Sequence, residues 1–300
     1  MSLPVPTAPD ARYGEVYDRG YGHYEGTRRG RLQGVWALAR WSMARALGLK
    51  KGWGSKVIPI LLYVGALLPV VAVIGITAFV PAADVFGYAD YFGGIFLLEG
   101  IFVATIAPEM MSPDRREGVL PLYFSRPISR PDYVVAKLVA AAILTLSISL
   151  LPATILWLGR QLLADAPLDA MRDNLGDLGR IAVAGGLIAL YLGAIGLLIS
   201  SFTGRKGVAV GVIVLGFLIS EALSGALTFA LAEQGTLTDW VALLSPTRTS
   251  AGLVEGLWPT IEGPEFGTFV SFPLWAIGAA MVAVVAVCCA VMFGRYAGRD

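Results

Sequence analysis

Three carboxylates and one block of arginines are the residues of this sequence whose placement could do chemistry. Glu99 and Glu221 each stand near the middle of a long apolar run, where an ionised side chain costs about 2.5 to 3.5 kcal/mol on insertion scales. Two readings are open for them. They line a path and bind a cationic group, or they are protonated carboxyls hydrogen-bonded to a neighbouring helix, since neither run offers a Lys or Arg as partner. Glu109 stands at the end of its run next to a basic segment, where a structural ion pair is expected. The arginine block lies in APEMMSPDRREGVLPLYFSRPISRPDYVVAKL, residues 107–138. Ser112-Pro113-Asp114 reads as one helix start and Ser129-Arg130-Pro131 as a second, with a tight Ser125-Arg126-Pro127 turn between them. The pattern predicts a short helix that presents Arg115, Arg116, Glu117, Arg126 and Arg130 as a docking surface.

Other reactive groups do not assemble into a site. Cys288 and Cys289 are adjacent inside an apolar run, which rarely suits a bridge and has no metal-ligand spacing. His23 is the single histidine, without a Cys or His companion, so no metal is expected. Asp84 and Asp90 form an acidic pair with no base or cation nearby, which argues against a lipid-processing transferase. Nucleotide hydrolysis is also excluded from this chain. No G-x-x-x-x-G-K-[ST] occurs, and GLKKGWGSK at 48–56 lacks the ending that cradles phosphates.

What positions these residues is a membrane-spanning scaffold. An apolar fraction of 56% and a charged fraction of 15% are shifted too far for a soluble surface. A helix needs roughly 20 apolar residues to cross a hydrocarbon core about 30 Å thick. Six stretches qualify, at about 57–80, 91–108, 138–159, 181–203, 208–232 and 271–293, so the fold expected is an all-α membrane protein with six transmembrane helices. Of the 23 Lys and Arg residues, ten precede the first span, five lie in the second connection, two (Arg205, Lys206) in the fourth and two in the tail. The opposite face receives only Arg160, Arg172, Arg180 and Arg248. Retention of positive residues on the inner side then places both termini in the cytoplasm of a multi-pass plasma-membrane protein.

Outside the spans, three segments have a character of their own. Residues 1–30 are polar and Gly-rich, with tyrosines at 13, 17, 21 and 24, and are expected to be a flexible cytoplasmic segment preceding a permease domain at 31–300. Leu32, Val35, Trp36, Ala39, Met43 and Leu47 fall on one helical face, which predicts an interfacial helix with Trp36 and Trp41 at the headgroup boundary. A cytosolic helix packed on a partner is the other reading. Residues 235–271 interleave apolar pieces with Pro246, Pro259 and Pro264, the pattern of short helices or a re-entrant hairpin before the last span.

The second connection resembles that of ABC-2 type permeases, the membrane subunits of bacterial ABC exporters, in which an acidic residue, a Gly, a Ser-Arg-Pro-x-Ser-Arg stretch and a Lys precede the third span. The matching residues are Glu109 and Glu117, Gly118, SRPISR at 125–130 and Lys137. A weaker likeness runs over 32–293, through SFTGRKG at 201–207 and LSPTRTSAGLVEGL at 244–257. The resemblance implies that the second connection, with Arg115, Arg116, Glu117, Gly118, Ser125, Arg126, Pro127, Ser129 and Arg130, is a cytoplasmic coupling helix docking on a separate ATPase subunit. Arg205 and Lys206 would make a minor contact. It also implies a second permease chain, identical or paralogous, surrounding membrane lipid, and ATP and Mg bound by the partner ATPase, not by this chain. Nucleic acid is not an expected partner at a net charge of +1. An ion-driven secondary transporter using Glu99 and Glu221 is the alternative, and it leaves the arginine block unexplained.

Overall fold

Apolar length decides the architecture. The chain divides into residues 1–30 and 31–300. A computed structural model describes residues 30–80, 86–119, 123, 128–231, 236–259 and 272–297. Among these there are ten helices and no strand. Six are long and apolar enough to cross a membrane: α2 (Gly54–Phe79), α3 (Tyr88–Arg116), α4 (Arg130–Leu162), α6 (Leu175–Phe202), α7 (Lys206–Ala230) and α10 (Leu274–Ala297). The others are α1 (Arg31–Ala46), α5 (Pro167–Asp173), α8 (Thr236–Ala242) and α9 (Pro246–Leu257). Residues 1–29, which hold the Tyr-rich stretch, lie outside the described residues.

The spans sort into an inner and an outer set. α3, α4 and α6 pack on one another, with α2 against α3 and α4, α7 mainly against α3, and α10 mainly against α6. α3 and α6 bury 61% of their most apolar stretch, whereas α7 buries 17%. Small residues allow the inner contacts: Gly196 of α6 is so close to Val103 and Ala107 of α3 that an added Cβ would overlap Val103, and Gly185 and Gly193 abut α4 at Leu150 and Thr145. Gly211 and Gly216 of α7 make no such contact, because nothing lies within 4 Å of a Cβ at either position.

One boundary corrects the sequence reading. The second span does not stop near Pro108 and restart at Pro113 but continues as one helix to Arg116. Ser112 and Asp114 are recruited by tertiary partners, not by the backbone of a new helix, so the signal for a helix start is overridden. The helix ends with Gly118 at φ 65°, a left-handed position that suits glycine. Between it and Ser129 the described residues are Val119, Tyr123 and Ile128. Residues 120–122 and 124–127 lie outside the described residues, Ser125, Arg126 and Pro127 among them. The second expected start is observed: Ser129 N-caps α4, its Oγ accepting from Asp132 N at 3.4 Å while Ser129 N donates to Asp132 Oδ2 at 3.0 Å.

α1 packs on α3 and α4, with Val35, Ala39, Met43 and Leu47 of the predicted face against the core, and its buried stripe also takes in residues beside that face. Leu38, Ala39, Ser42 and Ala46 are buried, while Leu32 is 84% exposed and Trp36 and Trp41 are about half exposed. The buried stripe follows Ser42 and Arg45, which have polar partners inside the bundle. At the opposite end α8 and α9 form a helical hairpin. Its α9 limb packs on α3, α6, α7 and α10, in keeping with the proline-punctuated pattern of 235–271.

Candidate functional site

The end of the bundle that carries α1 and the connections after α3 and α6, here the basic end, is held by a set of ion pairs. At its centre is Asp114, fully buried in the last turn of α3. Its Oδ1 is 2.6 Å from Arg45 Nη2 of α1, and its Oδ2 is 2.6 Å from Lys137 Nζ of α4 and accepts from Tyr133 Oη at 2.9 Å. Lys137, 1% exposed, also donates to Ser42 Oγ at 3.0 Å and to Met110 O at 2.7 Å, and Arg45 donates to the same carbonyl at 3.1 Å. The local charge is two cations against one carboxylate. The Met110 carbonyl, near the negative end of the α3 dipole and three residues before Pro113, offsets the excess. Burying such ions is costly, and here the Asp114 oxygens and the Lys137 ammonium are partnered across α1, α3 and α4, while Arg45 Nε is buried without a hydrogen-bond partner.

Two further links extend this centre. Glu109 pairs with Lys51 in the α1–α2 connection at 2.6 Å and with Lys206 at the start of α7. An ion pair was expected for Glu109, but with the arginines of the second connection; its cations come instead from the first turn of α7 and from residue 51. Arg115, expected to face outward, is half-buried and donates to Ser201 O at the end of α6, while Ser112 Oγ donates to Thr203 O at 3.3 Å. α6 ends there, and its last carbonyls would otherwise lack donors. At the edge of the cluster Arg31 grips Asp132 with Nε 2.9 and 2.8 Å from the two oxygens, and the carboxylate raises the Arg31 guanidinium above its ordinary value.

Of the remaining docking residues, Arg116 is exposed at the end of α3 and Glu117 and Gly118 just past it, Ser129 caps α4, Arg130 opens it, and Arg205 is exposed just before α7. The structure therefore brings Arg115, Ser129, Glu109 and Lys206 into one bonded framework and leaves Arg116, Glu117 and Arg205 on its surface. Sequence reasoning missed Asp114 as its centre, with Ser42, Arg45 and Tyr133. The available signal was Lys137, a lone cation one turn inside an apolar run, which requires an anion nearby.

The two intramembrane carboxylates have different fates. Glu99 is 3% exposed between α3, α4 and α6, beside Val103, Thr145, Ile148, Ala189 and Leu192. Neither of its oxygens has a hydrogen-bond partner, and Ser149 Oγ approaches without meeting bonding geometry. Glu221 is paired, contrary to the expectation that no cation was available. Arg248 of α9 donates through Nε to Glu221 Oε1 at 3.1 Å, and Ser245 Oγ donates to Oε2 at 2.6 Å. The hairpin supplies from outside the runs what the runs themselves lack. Among the described residues no group of three His, Cys, Asp or Glu side chains could hold a metal.

Six helices long and apolar enough to cross a membrane, packed around an inner triad, define a multi-pass membrane protein. Residues 36–296 match the model of the ABC-2 family transporter protein, and the chain belongs to that family. No curated protein is similar enough to match it.

Proposed function

We propose that this chain is the permease subunit of an ATP-driven exporter, working with a second permease chain and a separate ATPase that docks at the basic end. Its N- and C-termini are cytoplasmic in this reading, and ATP and Mg belong to the ATPase. The observation that carries it is the bonding of the basic end. Arg116, Glu117 and Arg205 sit on the surface of a framework in which Asp114, Glu109 and Arg115 tie α1, α3, α4, α6 and α7 together. A push delivered to the second or fourth connection would be passed to all three inner helices at once, since groups bonded in this way move as a unit. Family membership supports the same assignment.

An ion-driven carrier has one observation in its favour, the buried and unpartnered Glu99. The paired Glu221 weakens it, because a carrier carboxylate engaged by Arg248 is not free to take up a cation.

The test is gentle affinity purification from the native host, with bound chains identified by mass spectrometry, for the native protein and for the Arg116→Glu/Arg126→Glu variant. A Walker-motif ATPase should accompany the native chain and be lost from the variant, at equal yield of monodisperse permease. Well-folded protein that brings down no ATPase would refute the exporter reading and favour the ion-driven carrier.

A further inference from the structure

Glu221 lies about 14 Å along α7 from its end at Ala230, at 1.5 Å per residue. The hairpin reaches that depth: Ser224 Oγ donates to Val241 O at 2.9 Å, and the turn at 243–245 delivers Ser245 and Arg248 to Glu221. The pair is nevertheless not sealed, with side-chain exposures of 39% for Glu221 and 21% for Arg248. Around it α7 presents Leu215, Leu218, Ile219 and Leu223, each more than half exposed. A half-open ion pair within an apolar wall is not a lipid-facing arrangement, because charged groups at this depth face a protein interior or a wet cavity.

The guanidinium is also only partly used. Its Nε serves Glu221, while Nη1 and Nη2 donate no hydrogen bond among the described residues and are not fully buried. Space for them is provided by Gly225, where a Cβ would come within 3.1 Å of Nη2. Two parallel N–H donors at the end of a guanidinium match the two oxygens of a phosphate or carboxylate. The apolar residues on either side match an alkyl chain.

We propose that Arg248, on the exposed face of α7 and the hairpin tip, binds the anionic head of an amphiphile as it passes through the transporter, and that Glu221 restrains this binding by holding the same guanidinium. The substrate class is then an acyl or alkyl chain with a phosphate-like or carboxylate head. The cationic arginine recruits the head, and the carboxylate beside it keeps the complex weak enough to release. This rests on the permease reading for its place in transport, but the site can be tested without the ATPase.

The probe is radiolabelled dodecyl phosphate, bound to the purified full-length chain in dodecyl maltoside. Saturable binding is expected, with at least a tenfold loss in Arg248→Gln and a several-fold gain in Glu221→Gln. Arg248→Lys, which keeps the charge and loses the fork, should fall between Arg248→Gln and the native chain. The Glu221→Gln/Arg248→Gln double variant removes both charges together, so it keeps the fold and should still lose binding. Unchanged binding in that double variant overturns the proposal. So does equal, Arg248-dependent binding of dodecyltrimethylammonium, or full competition by inorganic phosphate, which would mark a free-anion site. Oxidative crosslinking of Leu218→Cys between copies, with binding insensitive to Arg248, would assign the face to a second copy of the chain instead. Arg248-dependent binding without a co-purifying ATPase would leave the site standing and refute the exporter assignment. An ATPase with no such binding would do the reverse.

Discussion

Asp114 and Glu221 are both carboxylates set in apolar helices, and both meet an arginine delivered by a short helix outside the spans. They differ in how completely they are enclosed. Asp114 is fully buried and receives Arg45, Lys137 and Tyr133 from two other helices, whereas Glu221 keeps 39% of its side chain exposed and has Arg248 and Ser245 from one hairpin. The first arrangement encloses both carboxylate oxygens between cations and acts as a joint. The second leaves donors and space, which is what a site that binds and releases something requires. A sealed ion cluster is expensive to alter and a half-open one is cheap, so the two ends should respond to mutation in opposite ways.

The largest effect should come from breaking the joint. Asp114→Ala strands Lys137 and Arg45 as buried, unpaired cations, and removing one partner of a buried pair costs about 3 to 5 kcal/mol. We expect loss of the monodisperse peak in fluorescence-detected size-exclusion chromatography and a large fall in the melting temperature of whatever folds. A native-like melting temperature would show that the cluster is not what holds α1 to α3 and α4. A smaller effect is expected at the edge of the same end. Ser129→Ala removes the N-cap of α4 and should cost about 1 kcal/mol, seen as a modest shift in melting temperature with no change in yield. A loss as large as that of Asp114→Ala would mean that the cap belongs to the joint.

How much of this the sequence disclosed depends on the range of the interaction involved. The six spans follow from a local quantity, the apolar length needed to cross hydrocarbon, and six helices of that length and apolarity are present. Short helices before the last span were legible too, because Pro246 is a local signal that nothing overrides. The start at Ser112-Pro113-Asp114 failed for the opposite reason. The Asp114 side chain is claimed by Arg45, 69 positions away, and a local rule does not register a competitor at that distance. The pairing of Glu221 was hidden in the same way, since its arginine lies beyond the span that contains the carboxylate.

The smallest expected effect on stability falls on Glu221, and it sharpens the contrast most. Glutamine keeps the shape of the side chain, and its carbonyl oxygen can still accept from Arg248 Nε while its amide nitrogen donates to Ser245 Oγ. Arg248 in turn is partly solvated and does not become a sealed, unpaired charge, as Lys137 would without Asp114. The stability change of Glu221→Gln should therefore stay within about 0.5 kcal/mol, the range of exposed pairs, and its thermal unfolding curve in detergent should overlay that of the native chain. A fall approaching that of Asp114→Ala would mean that the hairpin tip is closed in the working protein and serves as a second joint. An overlaid curve combined with a several-fold change in dodecyl phosphate binding would separate function from stability at this end, a separation that Asp114 at the other end cannot show.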